Sequence, residues 1–176
     1  GISSINKISL ISLEGSGMVG IPGFSKRLFE ALANNKINVI LITQSSSEHS
    51  ICVAVDAANV TTAKLAVDAA FAYEIETKKV DPLIIENDLA IVALVGDNMK
   101  SHTGIAGRMF SALGKNGINI RAIAQGSSER NISTVIALSD VTKAVNVLHE
   151  AFFETTYKQV NVFIAGAGNV GSKLLG

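Results

Sequence analysis

The chain has 176 residues, with two prolines, no tryptophan and a single cysteine. Because Cys52 has no possible partner within the chain, an internal disulfide is excluded, and a reducing, cytoplasmic compartment is expected. Apolar runs of the ~18 residues that a membrane span needs are absent, as is a charged leader before an apolar segment. Lys and Arg number 15, as do Asp and Glu, so no global field attracts nucleic acid or an anionic membrane. This balance favours a small neutral or zwitterionic partner.

Groups that bind metals or perform nucleophilic catalysis are also scarce. The three histidines, His49, His102 and His149, lack ligand spacing, and no cysteine pairs with them, so we expect no metal site. The serines have no accompanying His and Asp in an order that supports a catalytic triad. We therefore expect the chain itself to carry no catalytic residue.

An internal repeat is the strongest positive feature of the sequence. Two segments recur without a gap at a shift of 81 residues (125 − 44 = 81 for the glutamines): Leu13–Met18 returns as Leu94–Met99, and Ile42–Glu48 returns as Ile123–Glu129. The same shift matches Gly23 with Gly104 and Arg27 with Arg108. The chain is therefore predicted to hold two copies of one structural unit.

Hydrophobic periodicity predicts strand, helix, strand, strand and helix in each copy. The predicted strands are Lys7–Leu13, Ile37–Thr43 and Ser50–Asp56, then Leu89–Val95, Ile118–Ala124 and Ile132–Leu138; the helices begin near Pro22 and Ile105 and span Ala58–Tyr73 and Val141–Phe153. One closing strand per copy is predicted near Val80–Ile85 and Lys158–Ile164, and Thr77–Asp88 is the predicted linker.

This order predicts an α+β protein of two tandem ferredoxin-like βαββαβ units, with antiparallel sheets and helices on one face. The expected boundaries are 1–85 for the first unit and 86–158 for the second. Residues 159–176 are either the closing strand or the truncated start of a Rossmann domain.

The polar residues that recur in both copies predict the functional loci. One locus is the turn before the first helix, Gly20–Gly23 and its counterpart Ser101–Gly104, where free N–H groups suit a carboxylate. The other is the second strand, from Asn38 to Gln44 and from Asn119 to Gln125, where a glutamine amide both donates and accepts hydrogen bonds. The alternative is that the glycine turn only starts a helix and the polar segment is a solvated loop.

Two further features have competing interpretations. Arg27 and Arg108 are expected to cover a helix surface or to pair locally rather than to bind phosphate. Near the end, the apolar segment Val160–Ile164 precedes a G-x-G-x-x-G pattern formed by Gly166, Gly168 and Gly171, which is typical of a dinucleotide-binding turn. That site is incomplete here, because the helix and the acidic residue that such a fold needs would lie beyond Gly176.

Three stretches, Leu13–Gly23, Ile42–Glu48 and Ala122–Arg130, resemble the central region of the bifunctional aspartokinase–homoserine dehydrogenase family, and the glycine pattern follows them. In that family the region is a pair of ACT domains between a kinase and an NAD(P)-dependent dehydrogenase. The resemblance implies feedback inhibition by L-threonine and pairing of the units across a homodimer. It implies Mg-ATP and NAD(P) for the flanking domains and no cofactor for this fragment.

The resemblance also implies two related effector sites between the units. One would use Gly23, Ser25 and Gln44, with Asn119 and Ile120 opposite; the other would use Gly104, Ala106 and Gln125, with Asn38 and Val39 opposite; Ile42 and Ile123 would line the pockets. The second turn has Ser101–Thr103 where the first has Gly20–Pro22, so equal affinity is not expected. Whether one site or both are occupied, and which activity is inhibited, stays open.

Two other functions share parts of the pattern. RNA-recognition domains have the same βαββαβ order, but they stack bases on exposed aromatics, and Ile37–Ile42 and Ile118–Ile123 contain none. The glycine pattern by itself suggests a fragment of an NAD(P)-dependent dehydrogenase. We favour amino-acid-dependent regulation over nucleic-acid binding or dehydrogenation.

Overall fold

The computed structural model describes residues 1–19, 22–44, 50–97, 99, 103–125 and 130–154. Strands β1 to β6 span Ile2–Glu14, Leu41–Gln44, Ser50–Asp56, Ile84–Val95, Ala122–Gln125 and Asn131–Ala137. Helices α1 to α5 span Phe24–Asn34, Val60–Ala70, Ala72–Glu76, Ile105–Lys115 and Val141–Phe153. The predicted fold class, tandem α+β units with antiparallel pairing, is confirmed.

The two units share one six-stranded sheet in the order β2-β3-β1-β4-β6-β5. All of its strand pairs are antiparallel. Ile8 of β1 pairs with Leu89 of β4, and these two residues are themselves repeat counterparts (89 − 8 = 81). A pseudo-twofold axis therefore passes through this pair and relates the two units.

The central strands β1 and β4 each serve both units. Lys7 and Asp88 interrupt them at matching positions, both with a φ of 57°, and the register of the β1–β4 pair shifts there. The half of β1 before Lys7 pairs with the half of β4 after Asp88, from Ile2 opposite Leu94 onward. The other half of β4 pairs with the end of β1, where Ile84 lies opposite Ser12. The start of β1 thus closes unit 2, whereas the start of β4, which follows the helices of unit 1, closes unit 1.

The edge at which the closing strand of the second unit was predicted is occupied by the start of β1. Segment Leu89–Val95 has β6 on one edge and the start of β1 on the other, so both of its edges are occupied. The predicted strand Lys158–Ile164 lies outside the described residues. The predicted linker Thr77–Asp88 is shorter than expected, because β4 already begins at Ile84, and the predicted boundary between residues 85 and 86 falls inside that strand.

The second strand of each unit is also shorter than its apolar run predicts. Pairing begins at Leu41 and Ala122 rather than at Ile37 and Ile118. Both isoleucines are buried in the cores beneath the helices, so their apolar character reflects packing on a helix end rather than strand pairing.

Three hydrophobic clusters hold the fold together. The first lies between α1, α2 and the sheet of unit 1, around Leu28 and Phe71. The second occupies the matching place in unit 2, around Met109 and Leu148. Since directly opposed residues on antiparallel strands point to one face, the register places both clusters on the same side of the sheet.

The third cluster lies on the face of the sheet that the helices leave uncovered. Both units contribute to it, with Ile8, Leu10, Leu41 and Ala54 from one side and Leu89, Ile91 and Val135 from the other. Strands β2 and β5 contact each other although four strands separate them in the sheet. The sheet therefore curls around this cluster until its two outer strands meet.

Among the described residues, none of the helices combines the length and the apolar character that crossing a membrane requires.

Candidate functional site

An open groove of about 500 Å³ lies where β2 and β5 approach each other. It is lined by Ile40, Leu41, Ile42, Thr43 and Gln44 of the first unit and by Ile123, Ala124, Gln125, Asn131 and Ser133 of the second. Each outer strand pairs through one edge only, with β3 and β6 respectively. Their other edges carry backbone N–H and C=O groups that the sheet leaves without a partner. The groove thus combines side-chain amides with backbone donors and acceptors.

Three pairs of repeat counterparts line this groove, and two of them keep the same residue type. Ile42 and Ile123 keep 50% and 41% of their surface exposed, which is unusual for isoleucine. Gln44 and Gln125 end the two outer strands and are also exposed. Pseudo-twofold symmetry brings the same amide and the same apolar side chain to the groove from both sides.

Among the described residues, those that line the groove include no ionisable side chain. A ligand with a net charge would find no countercharge among these residues, whereas a zwitterion can use the amides and the strand backbones. Asn131 and Ser133 add polar groups from β6 that the repeat does not duplicate, since their counterparts are Ser50 and Cys52. Sequence reasoning missed both, and the only available signal was their alternating positions on a strand next to the edge.

Gly23 and Gly104, described residues of the two predicted turns, are not among the residues that line the groove. Gly23 and Gly104 precede α1 and α4 with φ values of 98° and 84°, a conformation that glycine adopts readily. Ser25 is half-buried in the first turn of α1, and Ala106 packs against the core of unit 2. The helix starts were predicted correctly, but these residues do not line the groove.

The predicted residues before the outer strands also lie outside the groove lining. Val39 and Ile120 pack against the two helix-side cores, and Asn38 and Asn119 are exposed. The structure therefore brings together four of the predicted effector residues: Ile42, Gln44, Ile123 and Gln125. The incomplete cofactor pattern of Gly166, Gly168 and Gly171 lies outside the described residues, so effector and cofactor contacts stay predictions.

A second, smaller cavity of about 230 Å³ opens beside the start of α1. It is lined by Pro22, Phe24, Arg27, Tyr73, Glu74 and Lys79. Arg27 holds Glu74 through two contacts, Nη1 to Oε1 at 2.5 Å and Nη2 to Oε2 at 3.0 Å. These hydrogen bonds lower the pKa of the Glu74 carboxyl and raise the pKa of the Arg27 guanidinium. The pair keeps both charges and ties α1 to α3.

In the part of the chain that is described, no group of three or more His, Cys, Asp or Glu side chains is close enough together to hold a metal ion.

Comparison with protein-family models gives two matches to one family. The model described as the ACT domain matches residues 11–71 and 92–152. The two matched windows are offset by the shift of the internal repeat (92 − 11 = 81).

Curated relatives extend this likeness over the whole chain. It is 44% identical to the bifunctional aspartokinase/homoserine dehydrogenase of Haemophilus influenzae, over 99% of this chain and 21% of that protein. It is 37% identical to the chloroplastic bifunctional enzyme of Daucus carota, over 99% of this chain and 19% of that protein. The chain therefore spans about a fifth of the length of these relatives.

Solved structures share the fold. The ligand-free regulatory subunit of aspartate kinase from Thermus thermophilus matches with a TM-score of 0.73 and 27% identity, over 86% of this chain and 97% of that one. Aspartokinase III of E. coli, in complex with lysine and aspartate in the T-state, matches with a TM-score of 0.66 and 28% identity, over 88% of this chain and 33% of that one.

Proposed function

The chain belongs to the ACT domain family, and on that premise we propose that it is an amino-acid-binding regulatory region. Its effector would be L-threonine, and it would control an aspartokinase that is joined to a homoserine dehydrogenase. Binding would favour an arrangement of the flanking domains in which the kinase, and with it the dehydrogenase, is less active.

The groove between β2 and β5 is the observation that carries this proposal. It has the size for a small molecule, its described lining residues are not ionisable, and it presents one glutamine from each unit. A free amino acid with a short polar side chain is a zwitterion whose ammonium, carboxylate and hydroxyl all need hydrogen-bond partners. Among the relatives, the E. coli aspartokinase in its T-state is a complex with an amino acid, which supports the same class of ligand here.

Thermodynamic linkage between effector binding and the domain arrangement explains how such a ligand would regulate the attached kinase. A ligand that binds one arrangement better than another shifts their populations, and such coupling between sites is typically about 1–3 kcal/mol. The coupling must be reciprocal for binding, so the effector and the kinase substrate aspartate should weaken each other's affinity.

Self-association is a second part of the proposal. The outer strands β2 and β5 keep unpaired edges, and exposed edges are commonly covered by another chain. Pairing of two copies would cover these edges and would complete the walls of the groove.

Isothermal titration calorimetry of the chain with L-threonine, L-lysine, L-methionine and L-isoleucine tests the ligand. We expect heat with threonine and much weaker binding in Gln44→Ala and Gln125→Ala, because each removes an amide from the groove. Asn146→Ala is the matched control, since it removes an exposed amide on α5, away from the groove. Unchanged threonine affinity in both glutamine variants would refute the site, and silence with every amino acid would refute the function.

A further inference from the structure

The groove between β2 and β5 lies on the pseudo-twofold axis of the sheet. That axis passes through the pair of Ile8 and Leu89 and exchanges the two units, so it also passes between the two outer strands. A perfect twofold would offer an amino acid the same contacts in two opposite orientations, because the ligand itself has no symmetry. Any difference between the two sides of the groove therefore decides which way such a ligand lies.

The glutamines and isoleucines that recur in both units belong to the helix side of the outer strands. Gln44 lies opposite Ile51 of the core cluster of unit 1, and Gln125 lies opposite Ile132 of the core cluster of unit 2. Residues directly opposite on antiparallel strands point to one face, and the isoleucines two positions before the glutamines share that face. These four side chains are the same on both sides and favour neither orientation.

The units differ on the other face of the same strands. Cys52 and Ala124 pack against the third hydrophobic cluster, which lies on this face. In unit 1 a row of three paired residues crosses the strands here: Ser12, Cys52 and Thr43. In unit 2 the corresponding row is Ala93, Ser133 and Ala124. A thiol between two hydroxyl groups is thus replaced by a hydroxyl group between two methyl groups.

This replacement uncovers the hydroxyl group of Ser133. Thr43 lies on the outer strand, between Cys52 and the groove, and Cys52 is not among the residues that line the groove. Ala124 occupies the same place beside Ser133, but its side chain is a single methyl group, and Ser133 lines the groove. The Cys52 thiol has a hydrogen-bond partner in Ser12, whereas the alanine side chains offer Ser133 none. The Ser133 hydroxyl can therefore serve a ligand.

Asn131 adds a second polar group beside Ser133. It lies two residues earlier on β6, so both side chains point to the same face, and both line the groove. Its counterpart Ser50 is not among the residues that line the groove. Among the described lining residues of unit 1, Thr43 supplies the side-chain hydroxyl on this face. Unit 2 thus offers an amide and a hydroxyl against one hydroxyl from unit 1.

We propose that Ser133 and Asn131 form the subsite for the side-chain hydroxyl of the effector, so that the ligand lies in one orientation with its side chain toward unit 2. This inference rests on the proposed function, because it assigns parts of the same ligand to parts of the same groove. The recurring glutamines and the strand edges bind the ammonium and carboxylate groups. A serine hydroxyl and an asparagine amide each donate and accept, so together they satisfy both capacities of a ligand hydroxyl. The ligand class is a small β-hydroxy amino acid.

Calorimetry with L-threonine and L-valine tests the subsite, because valine carries a methyl group where threonine carries its hydroxyl. In the wild type we expect threonine to bind about tenfold more tightly than valine. Ser133→Ala should lower this ratio to about twofold and leave the affinity for valine nearly unchanged, because it removes one hydrogen bond that only threonine makes. Asn131→Ser, which installs the residue of unit 1, should lower the ratio less because Asn131 is exposed.

Thr43→Val is the matched control for the orientation. It removes the groove hydroxyl of unit 1 and keeps a side chain branched at Cβ, so the strand is preserved. We expect the ratio of threonine to valine affinity to stay near that of the wild type. A fall that equals or exceeds the fall in Ser133→Ala would overturn the orientation. Ser133→Thr keeps a hydroxyl and should keep the preference, which separates a lost hydrogen bond from a general disturbance of the groove.

The glutamine variants distinguish failure of this inference from failure of the proposed function. If Gln44→Ala and Gln125→Ala weaken both ligands but Ser133→Ala leaves the ratio unchanged, only the subsite is wrong. If the wild type binds threonine and valine equally, the groove does not recognise the hydroxyl, and amino-acid binding stands without this inference. If the wild type binds neither amino acid, the proposed function and the subsite fail together.

Discussion

The two units share a backbone plan but differ in how firmly their parts are tied together. In unit 1 Arg27 pairs with Glu74 and lies over Phe71, which stacks on Phe24 with ring centroids 5.7 Å apart. In unit 2 the counterpart of Phe24 is Ile105, so the stacked aromatic pair is absent there. Among the described residues, unit 1 therefore has an ion pair and a stacked aromatic pair that are not seen at the matching place of unit 2. Of the residues facing the groove, by contrast, Ile42 and Gln44 recur unchanged as Ile123 and Gln125.

The largest expected difference between the units concerns the glycine that ends the first strand. A Cβ atom at Gly15 would lie 2.4 Å from the carbonyl oxygen of Lys79 and 2.6 Å from the Cα of Val80, both backbone atoms. At the counterpart Gly96, the described atoms nearest to such a Cβ belong to the Met99 side chain, with Cγ at 3.3 Å. We expect Gly15→Ala to lower the free energy of unfolding by about 3 kcal/mol and Gly96→Ala by about 1 kcal/mol or less. Urea denaturation measures both, and equal losses would contradict the asymmetry.

The next largest expected effect is the loss of folding stability at acid pH that comes from the Arg27–Glu74 pair. Hydrogen bonds from Arg27 lower the pKa of Glu74 in the folded chain. Such a carboxylate stabilises the fold above its unfolded pKa of about 4.3, and this contribution is lost as the pH falls through the lower, folded pKa. Because Arg27 is partly exposed and solvent screens the pair, we expect this contribution to the free energy of unfolding to be about 1 kcal/mol.

Denaturation midpoints of wild type and Glu74→Gln between about pH 6 and pH 3 measure this contribution. The difference between the two midpoints should be largest at the highest pH and should disappear toward the lowest pH. Glu76→Gln, an exposed neighbour of the same charge, is the control. A gap that does not change with pH would show that the pair adds no acid sensitivity.

A smaller difference lies at the ends of the first helices. Lys36 and Gly117 are counterparts with φ values of 57° and 71°, in the left-handed region. The N–H groups of Ile37 and Ile118 donate to Leu32 and Leu113 in the same end motif. Lys36→Gly should therefore stabilise by up to about 1 kcal/mol, and Gly117→Lys should destabilise by a similar amount. Thermal unfolding tests this pair, and shifts of the same sign would refute it.

The smallest effect is kinetic and compares Cys52 with its counterpart Ser133. Burial raises the pKa of the Cys52 thiol, although a hydrogen bond with Ser12 acts in the opposite direction. At pH 8 less thiolate is present, so iodoacetamide should modify Cys52 more slowly in the folded chain than in urea. Cys52→Ser combined with Ser133→Cys places the thiol in the groove lining, where modification should be a few-fold faster. Equal rates would indicate that the groove is not open.

Sequence reasoning recovered most of the fold and part of the candidate site. The strand Ser50–Asp56 and the helix Val141–Phe153 have their predicted bounds, because local periodicity and caps define them. Gln44 and Gln125 were selected because the repeat duplicates them, and they line one groove. Gly23 and Gly104 were predicted to share the effector sites with the glutamines, but they do not line the groove. The spacing of residues along the chain does not specify how far the folded chain places these glycines from the glutamines.

Arg27 and Arg108 illustrate the same limit. The sequence predicted that they cover a helix surface or pair locally; in the structure they contact Glu74, Ala70 and Ala151, and no pattern identified a backbone carbonyl as the shared partner. Such a contact joins residues 43 positions apart, and backbone acceptors have no sequence signature.

The sequence by itself determined the repeat, the order of elements and the faces of strands and helices, because these depend on residue spacing and local propensity. Only the tertiary structure decided which strand closes each unit. Segment Ile2–Ile5, with little apolar signal, closes unit 2 because the edge of Leu89–Val95 accepts any backbone with the right register. Backbone hydrogen bonds carry no side-chain code, so the curl of the sheet and the groove between β2 and β5 emerge only when both units pack on one core.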